Sequence, residues 1–220
     1  MGRMAATEHQ SAPDTGQKRS VGRPRHYDEA TERELVFDAG YRVLRDHGDT
    51  GLTIADVLAE AGVSTRSFYR HFASKDELLC AMFNRDAERS AARLDSRLAS
   101  ATSPLQAVQL WIDGIFGFKV GQRAERLNVL GSLTISRAEG AAAVIERSQT
   151  LLIAPLATAI AAGAADGTFT TTQPAADAEM VAAVVFHGAG LVSPHLGTTP
   201  HPTARDEVLS FCLRALGVPA

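Results

Sequence analysis

Apolar residues recur at spacings of three and four positions along most of the chain, a pattern typical of helices with one buried face. The first such segment begins after Asp28, a candidate N-cap, and Gly48 and Gly51 end it. Glu29 and Glu32 fall in its first turn, where the helix dipole favours acidic side chains. Its apolar face consists of Leu35, Val36, Ala39, Gly40, Val43 and Leu44.

Three more helices are predicted directly after the first. A short second helix follows the candidate N-cap Thr53 and stops at Gly62. Its apolar positions are Ile54, Val57, Leu58 and Ala61. Ser64 or Thr65 can cap a third helix, which carries aromatic residues. Ser74 can cap a long fourth helix, which keeps helical apolar spacing to about residue 100.

The remainder of the chain alternates helical stretches with breaks at glycine and proline. Helices are predicted near residues 104–119, 123–137, 140–165, 175–192 and 203–216. Pro155 is expected to kink the third of these, because proline removes an intrahelical hydrogen bond. No segment has the sustained alternation of a strand, so the sequence predicts an all-α protein.

Composition narrows the class of protein without giving its function. The chain has 220 residues, 45% of them hydrophobic, which is enough for one large domain or two small ones. The formal net charge of −3 does not indicate nucleic-acid binding. It does not exclude such binding either, because a small basic face can lie on an acidic protein. Cys80 and Cys212 form neither a disulfide framework nor a zinc set. We interpret them as idle thiols, with a redox-sensing pair as the alternative.

No uninterrupted apolar run reaches the ~18 residues of a membrane span. The longest candidate, Leu151 to Ala165, is interrupted by Pro155, Thr158 and Gly163. The polar N-terminus has no apolar signal segment. We therefore expect a cytoplasmic protein that does not associate with a membrane.

The segment from Thr53 to Lys75 carries the most specific chemistry. Gly62 supplies the positive φ of a tight turn between two short helices, as in a helix-turn-helix. Packing of the apolar side chains leaves hydrogen-bonding, cationic and aromatic side chains on the second helix: Thr65, Arg66, Ser67, Tyr69 and Arg70. A helix with these side chains fits the major groove of DNA.

Local charge supports DNA binding, although two short helices and a glycine turn also occur in other all-α proteins. Residues 61–75 contain three basic residues and no acid. Residues 1–25 are polar and are expected to form a disordered arm. This arm ends in Lys18–Arg25, which carries four positive charges and no acid.

The same segment resembles the DNA-binding domain of TetR-family transcriptional regulators. The family pattern has a threonine that opens the second helix, Ala-Gly-Val-Ser in the turn, Phe-Tyr-x-His-Phe in the recognition helix, and a lysine followed by acids and leucines. The matching residues are Thr53, Ala61–Ser64, Phe68–Phe72 and Lys75–Leu79. Leu58 stands where the family often has alanine. Beyond residue 85 the resemblance is one of length and helical content only.

The resemblance implies a DNA-binding domain at residues 26–84 and a helical ligand-binding and dimerisation domain at 85–220. It also implies contacts to DNA. The residues facing the bases and nearby backbone would be Thr65, Arg66, Ser67 and Tyr69, and those holding phosphates would be Thr53, His71 and Lys75. Arg23 and Arg25 would enter an adjacent minor groove, which attracts arginine where it is narrow. A solvated charge is the alternative for Arg23.

In the C-terminal domain the resemblance implies an effector pocket and a dimer surface. The candidate pocket residues are Trp111, Phe116, Phe118, Leu127, Met180, Phe186 and His187. We assign two apolar stripes on the last two predicted helices to the dimer interface: Val181, Val184, Val185, Gly188, Leu191, Val208, Phe211, Cys212 and Ala215. An ordinary core role is the alternative for both sets. His195 and His201 have no acid or cysteine at metal spacing, so no metal site is expected.

The sequence therefore favours a ligand-responsive transcriptional repressor that binds a palindromic operator as a homodimer. Its expected partners are double-stranded operator DNA, a second copy of the chain and an unknown small-molecule effector, and no cofactor is expected. A helix-turn-helix DNA-binding protein without a small-molecule ligand is the alternative. An enzyme is disfavoured, because the chain lacks a glycine-rich phosphate loop and a nucleophile elbow.

Overall fold

The structure is a computed structural model that describes residues 28–47, 52–117, 138–189 and 205–218. These residues form eight α-helices and no strand, as the apolar periodicity predicts. The helices are α1 (Glu29–His47), α2 (Ile54–Ala61), α3 (Thr65–His71), α4 (Lys75–Leu98), α5 (Pro104–Gly117), α6 (Ala141–Asp166), α7 (Pro174–Gly188) and α8 (Arg205–Ala215).

The observed helix bounds differ from the predicted ones by a few residues. The predicted helix near 123–137 lies outside the described residues. Helix α7 ends at Gly188, earlier than its apolar pattern predicts. Helix α6 continues through Pro155 to Asp166.

The candidate caps at the starts of α1, α2 and α4 are confirmed. A carboxylate oxygen of Asp28 accepts a hydrogen bond of 2.8 Å from the backbone N–H of Thr31. The hydroxyl of Thr53 accepts from the N–H of Asp56, and that of Ser74 from the N–H of Glu77. Each bond satisfies a backbone donor that has no partner within its helix, so the bonds fix where the helices begin.

Helices α1 to α4 surround a first hydrophobic core, which we call the N-terminal core. Its largest fully buried side chains are Leu44, Phe68, Phe72, Leu78, Leu79 and Met82. The Met82 side chain of α4 packs against α1 at Gly40, where an added Cβ would lie 2.9 Å from its Sδ atom. The core holds α3 against α1 and α4, so a helix too short to be stable alone has a fixed orientation.

Helices α5 to α8 and the second half of α4 form a second core. Trp111 is fully buried there, and its indole N–H donates to the carbonyl of Leu152 at 2.8 Å. Gly188 lies beside Val208, which allows α7 and α8 to approach closely. The guanidinium Nε of Arg205 donates to Asp113 at 2.6 Å and ties the start of α8 to α5.

The start of α6 belongs to the N-terminal core. Ala138 and Ala141 are buried in that core, and Ile145 packs against it. The backbone N–H of Glu139 donates to the carboxylate of Asp76 at 3.0 Å, near the start of α4. The start of α6 therefore contacts the N-terminal core directly, and the bonded Asp76 lies only a few residues after α3 in the chain.

The two free cysteines lie in different cores. Cys80 is partly buried in α4, and its thiol donates to the carbonyl of Glu139. Burial, with the nearby charges of Asp76 and Glu77, raises the pKa of the Cys80 thiol. Burial raises the pKa of Cys212 to about 11. Both thiols are therefore protonated near neutral pH, and their positions do not favour a redox-sensing pair.

Helix α6 is long and apolar enough, with a mean hydropathy of 1.4 over its best window, to meet a length and composition test for a membrane span. In the structure it contacts α4, α5 and α7. Core helices of soluble proteins pass the same test, so this helix alone is weak support for a membrane span.

Candidate nucleic-acid interface

A tight turn joins α2 to α3. Helix α2 ends at Gly62, whose φ of 65° and ψ of 28° lie in the left-handed region. The N–H of Gly62 donates to the carbonyl of Leu58 and closes the last turn of α2. A residue with a Cβ would be strained at this φ, so glycine permits the sharp change of direction.

Helix α3 begins at its N-cap, Ser64, whose hydroxyl accepts from the N–H of Ser67 at 3.1 Å. Phe68 and Phe72 anchor the helix in the N-terminal core. The guanidinium of Arg33 in α1 lies 4.8 Å from the centroid of the Phe72 ring and adds a cation–π contact. These contacts determine which side of α3 faces solvent.

The outward side of α3 consists of Thr65, Arg66, Tyr69 and Arg70, all of them exposed. Tyr69 is 53% exposed, which is unusual for a large aromatic side chain. Arg66 forms no ion pair with any residue that the structure describes. The structure therefore places Thr65, Arg66 and Tyr69 where side chains could reach base edges.

Three polar side chains of α3, the inward-facing Ser67 and His71 and the exposed Arg70, are bound to a single carboxylate. Glu32 in α1 accepts hydrogen bonds from the hydroxyl of Ser67 and from Nη2 of Arg70. The Nε2 atom of His71 lies 3.3 Å from the same oxygen of Glu32. The bonds from Ser67, His71 and Arg70 lower the pKa of Glu32 to about 2, although its burial acts in the opposite direction. We call these four residues the Glu32 cluster.

The Glu32 cluster corrects two sequence predictions. Ser67 was expected to face the bases, but it is buried and its hydroxyl is engaged by Glu32. His71 was expected to hold a phosphate, but only 3% of its side chain is exposed. Both residues point toward α1 because the carboxylate of Glu32 supplies the acceptor that their donors need when buried.

Two other candidate phosphate contacts lie at helix starts. Thr53 is exposed at the start of α2, although its hydroxyl is engaged with Asp56. Lys75 is exposed as the first residue of α4. The positive ends of two helix dipoles are therefore close to these side chains, which favours an anion such as phosphate. Arg23 and Arg25 lie outside the described residues.

The candidate pocket residues do not form one group. Trp111 is buried, and the partly buried Phe186 lies beside it, with 5.9 Å between ring centroids. Phe116 packs against the same core. Met180 is 66% exposed, and His187 is exposed on the same helix, so neither side chain belongs to the core around Trp111. These two side chains lie on the solvent-exposed face of α7. Phe118 and Leu127 lie outside the described residues.

Most of the candidate interface residues are core residues of a single chain. The buried ones are Val181, Val185, Gly188, Val208 and Cys212. Their apolar stripes face each other and α5, so they are not available to a second copy. Val184 is partly buried, whereas Phe211 and Ala215 are exposed. Leu191 lies outside the described residues.

Sequence reasoning missed Glu32 as a part of the site, and it placed Arg70 on the exposed surface of α3 without a specific role. Glu32 was interpreted only as a first-turn acid that stabilises the dipole of α1. Its partners are 35 to 39 positions away in the chain. No local spacing signal connects residues so far apart, so only the fold brings them together.

The exposed polar face of α3, its buried anchor and the glycine turn before it define a helix-turn-helix regulatory protein. Residues 36–82 match the family model described as "Bacterial regulatory proteins, tetR family". This segment, which spans α2, α3 and parts of α1 and α4, is therefore a TetR-family helix-turn-helix domain.

Known relatives agree with this assignment. The HTH-type transcriptional regulator BetI of Agrobacterium fabrum is 31% identical over 83 residues, which are 36% of this chain and 40% of the BetI chain. The match thus spans about two fifths of the length of this curated relative.

Two solved structures share the fold over most of the chain. A TetR transcription regulator from Haloarcula marismortui is 21% identical, with a TM-score of 0.64, over 86% of this chain and 95% of its own. The regulator FadR from Bacillus subtilis, solved with stearoyl-CoA, is 14% identical, with a TM-score of 0.67, over 82% and 97%. At these identities the likeness shows the fold alone.

Proposed function

We propose that the protein is a cytoplasmic transcriptional repressor that binds a palindromic operator in double-stranded DNA as a homodimer and releases it when a small molecule binds. The observation that carries the proposal is the outward side of α3. A short, firmly anchored helix exposes Thr65, Arg66 and Tyr69, while its buried side is fully packed. An exposed aromatic ring such as that of Tyr69 is unfavourable in water, so its position on α3 supports contact with a partner.

In the proposed complex α3 lies in the major groove. Arg66 has the free donors for bidentate recognition of guanine, and Thr65 and Tyr69 have hydroxyl groups for nearby bases or backbone. Thr53 and Lys75, with the N-termini of α2 and α4, would hold phosphates on either side of the groove. Arg23 and Arg25 would reach the minor groove from the arm.

The homodimer is proposed on the exposed side of the two helices predicted from sequence, which keeps Phe211 from the predicted set and adds Met180. Met180 and Phe211 are the large apolar side chains exposed on α7 and α8, at 66% and 51%. Met180, Ala183 and His187 follow helical spacing on the outer side of α7. A second copy would bury this surface, and its twofold symmetry would match a palindromic operator.

The effector is proposed to bind in the C-terminal domain. FadR, which shares the fold, was solved with stearoyl-CoA, so this architecture can hold a small molecule. In this chain the partly buried Phe116 and Phe186 line the second core around Trp111. Apolar walls of this kind are typical of small-molecule sites.

The test of DNA binding is selection from a random duplex library by the full-length protein, followed by sequencing. We expect enrichment of one sequence with inverted half-sites. Tyr69→Ala should weaken binding to the selected duplex while leaving the circular dichroism spectrum unchanged, because Tyr69 is exposed. Lys75→Ala should also weaken binding. A library that shows no enrichment over several rounds would contradict the proposal.

A further inference from the structure

Arg66 and Arg70 lie one helical turn apart on α3 and differ in their electrostatic state. Both are exposed, yet Arg66 has no ion-pair partner among the described residues. The Nη2 atom of Arg70 is bound to Glu32, a buried carboxylate, although 52% of the Arg70 side chain stays exposed. Arg70 is thus within reach of a DNA surface while its charge is already balanced.

We propose that Glu32 is a positioning residue for sequence selectivity, which holds Arg70 away from the phosphate backbone while it fixes the roll of α3. This inference rests on the proposed DNA-binding function. Its basis is geometric: one carboxylate oxygen binds three side chains of a seven-residue helix, and one of them is an exposed cation.

Phosphate contacts and base contacts contribute differently to the affinity for DNA. A cation that neutralises a phosphate releases a counterion and adds affinity for every DNA sequence alike. Only contacts to base edges separate the operator from other DNA. An unrestrained Arg70 would therefore raise binding to random DNA. A helix α3 that is free to roll would also lose base contacts on the operator, so the preference for the operator would fall.

The pair stays closed on DNA because opening it carries a cost. Release of Arg70 would leave the buried Glu32 carboxylate without its cation, with only the hydroxyl of Ser67 and the ring of His71 as partners. A buried charge that loses its counter-charge is strongly destabilised. A surface phosphate contact does not offset this cost, so Arg70 remains bound to Glu32.

The test uses the full-length protein with Glu32→Gln, which keeps the shape and removes the charge. Two probes are titrated by fluorescence anisotropy between 50 and 200 mM salt: a random-sequence duplex, and the duplex enriched by in vitro selection. We expect Glu32→Gln to bind the random duplex more tightly at 50 mM. The salt slope, which is the change in the logarithm of the binding constant with the logarithm of the salt concentration, should steepen by about 0.9 per protomer. This corresponds to an additional loss of affinity of about threefold per protomer across this range. The ratio of the two affinities should fall.

Three further variants make the test decisive. Glu29→Gln removes the same charge from the same turn of α1, at an exposed position, and should leave the slope unchanged. Arg70→Gln alone should also leave the slope unchanged. Arg70→Gln combined with Glu32→Gln should return the slope to the wild-type value, because no free cation remains.

Two results would overturn the proposal. If Arg70→Gln lowers the wild-type slope by about 0.9 per protomer, Arg70 already contacts a phosphate. If Glu32→Gln weakens both duplexes without a steeper slope, Glu32 only supports the structure of α3. Arg70→Gln shows whether Arg70 contacts a phosphate in the wild-type complex, even if Glu32→Gln fails to fold. Failure of the proposed function itself is distinct, because the wild-type protein would then prefer no duplex.

Discussion

The hydroxyl of Ser67 in α3 donates to the carboxylate of Glu32 in α1, across 35 positions of sequence. This bond joins the first helix of the DNA-binding domain to the helix that is proposed to enter the major groove. It also turns Ser67 away from DNA, although neighbouring Arg66 faces outward. The orientation of α3 is thus set by a polar contact on its buried side as well as by Phe68 and Phe72.

The low pKa of Glu32 predicts a specific acid sensitivity. A carboxylate whose pKa falls from 4.5 to about 2 on folding adds stability above the unfolded pKa, and this contribution is lost as the pH falls toward 2. The free energy of unfolding should therefore fall more steeply below about pH 5 in the wild type than in Glu32→Gln. Urea denaturation followed by circular dichroism at several pH values measures the difference. Parallel curves for the two proteins would refute the low pKa.

Arg66→Ala tests direct reading of DNA by α3. If Arg66 contacts a guanine, the substitution should cost about 1–3 kcal/mol per half-site and relax the preference at one base pair. Competition between the selected duplex and single-base variants of it measures both effects. Equal weakening for all sequences would instead make Arg66 a phosphate contact.

Substitution of the exposed apolar side chains on α7 and α8 tests the proposed dimer. Met180→Glu and Phe211→Glu should each weaken dimerisation about tenfold or more, because burying such a side chain contributes about 1.5–3 kcal/mol. Sedimentation equilibrium at micromolar concentration checks this. Ala92→Glu, at an exposed position of α4, is the matched control and should leave the association state unchanged. A wild-type protein that sediments as a monomer would contradict the proposed dimer.

Two glycines in helices should respond oppositely to alanine. A Cβ at Gly163 would overlap the buried ring of Phe169, so Gly163→Ala should destabilise the protein by about 1–3 kcal/mol. No described atom lies within 4 Å of a Cβ at Gly117, so Gly117→Ala should be neutral or stabilising by up to about 1 kcal/mol. Thermal and urea unfolding of both variants give the comparison. Equal effects would mean that the contact between Gly163 and Phe169 is looser than described.

An effector that releases DNA must obey thermodynamic reciprocity. Helix α4 begins at Lys75, beside the proposed phosphate sites, and its second half packs in the second core through Leu94. A shift of this helix would change the separation of two recognition helices in a dimer. Operator DNA should then weaken effector binding by the factor by which effector weakens DNA binding, typically 1–3 kcal/mol. Calorimetric titration of effector into free and operator-bound protein measures this coupling. Equal affinities in the two titrations would favour the alternative, a DNA-binding protein that no small molecule controls.

Features decided by near neighbours in the chain could be predicted from the sequence. The caps at Thr53 and Ser74 and the turn at Gly62 involve residues within three or four positions, so the pattern predicts them correctly. The direction of Ser67 depends on a distant acceptor, Glu32, and the local pattern does not contain it. A helical register shows which side chains are apolar. It does not show whether the same chain or a second copy covers them. For this reason Val185 was assigned to the dimer interface, although it is buried within a single chain.

The burial of Ala138 and Ala141 among the helices of the DNA-binding domain matters for protein engineering. Hybrid regulators are commonly designed by grafting one sensory module onto another DNA-reading module at the boundary that the sequence suggests, here after residue 84. Such a graft would remove two packed methyl groups and the backbone donor that Glu139 gives to Asp76. The DNA-binding domain on its own would therefore expose the apolar surface that the start of α6 covers. A transplantable module must include the residues from Ala138 to Ile145 as a second, discontinuous segment.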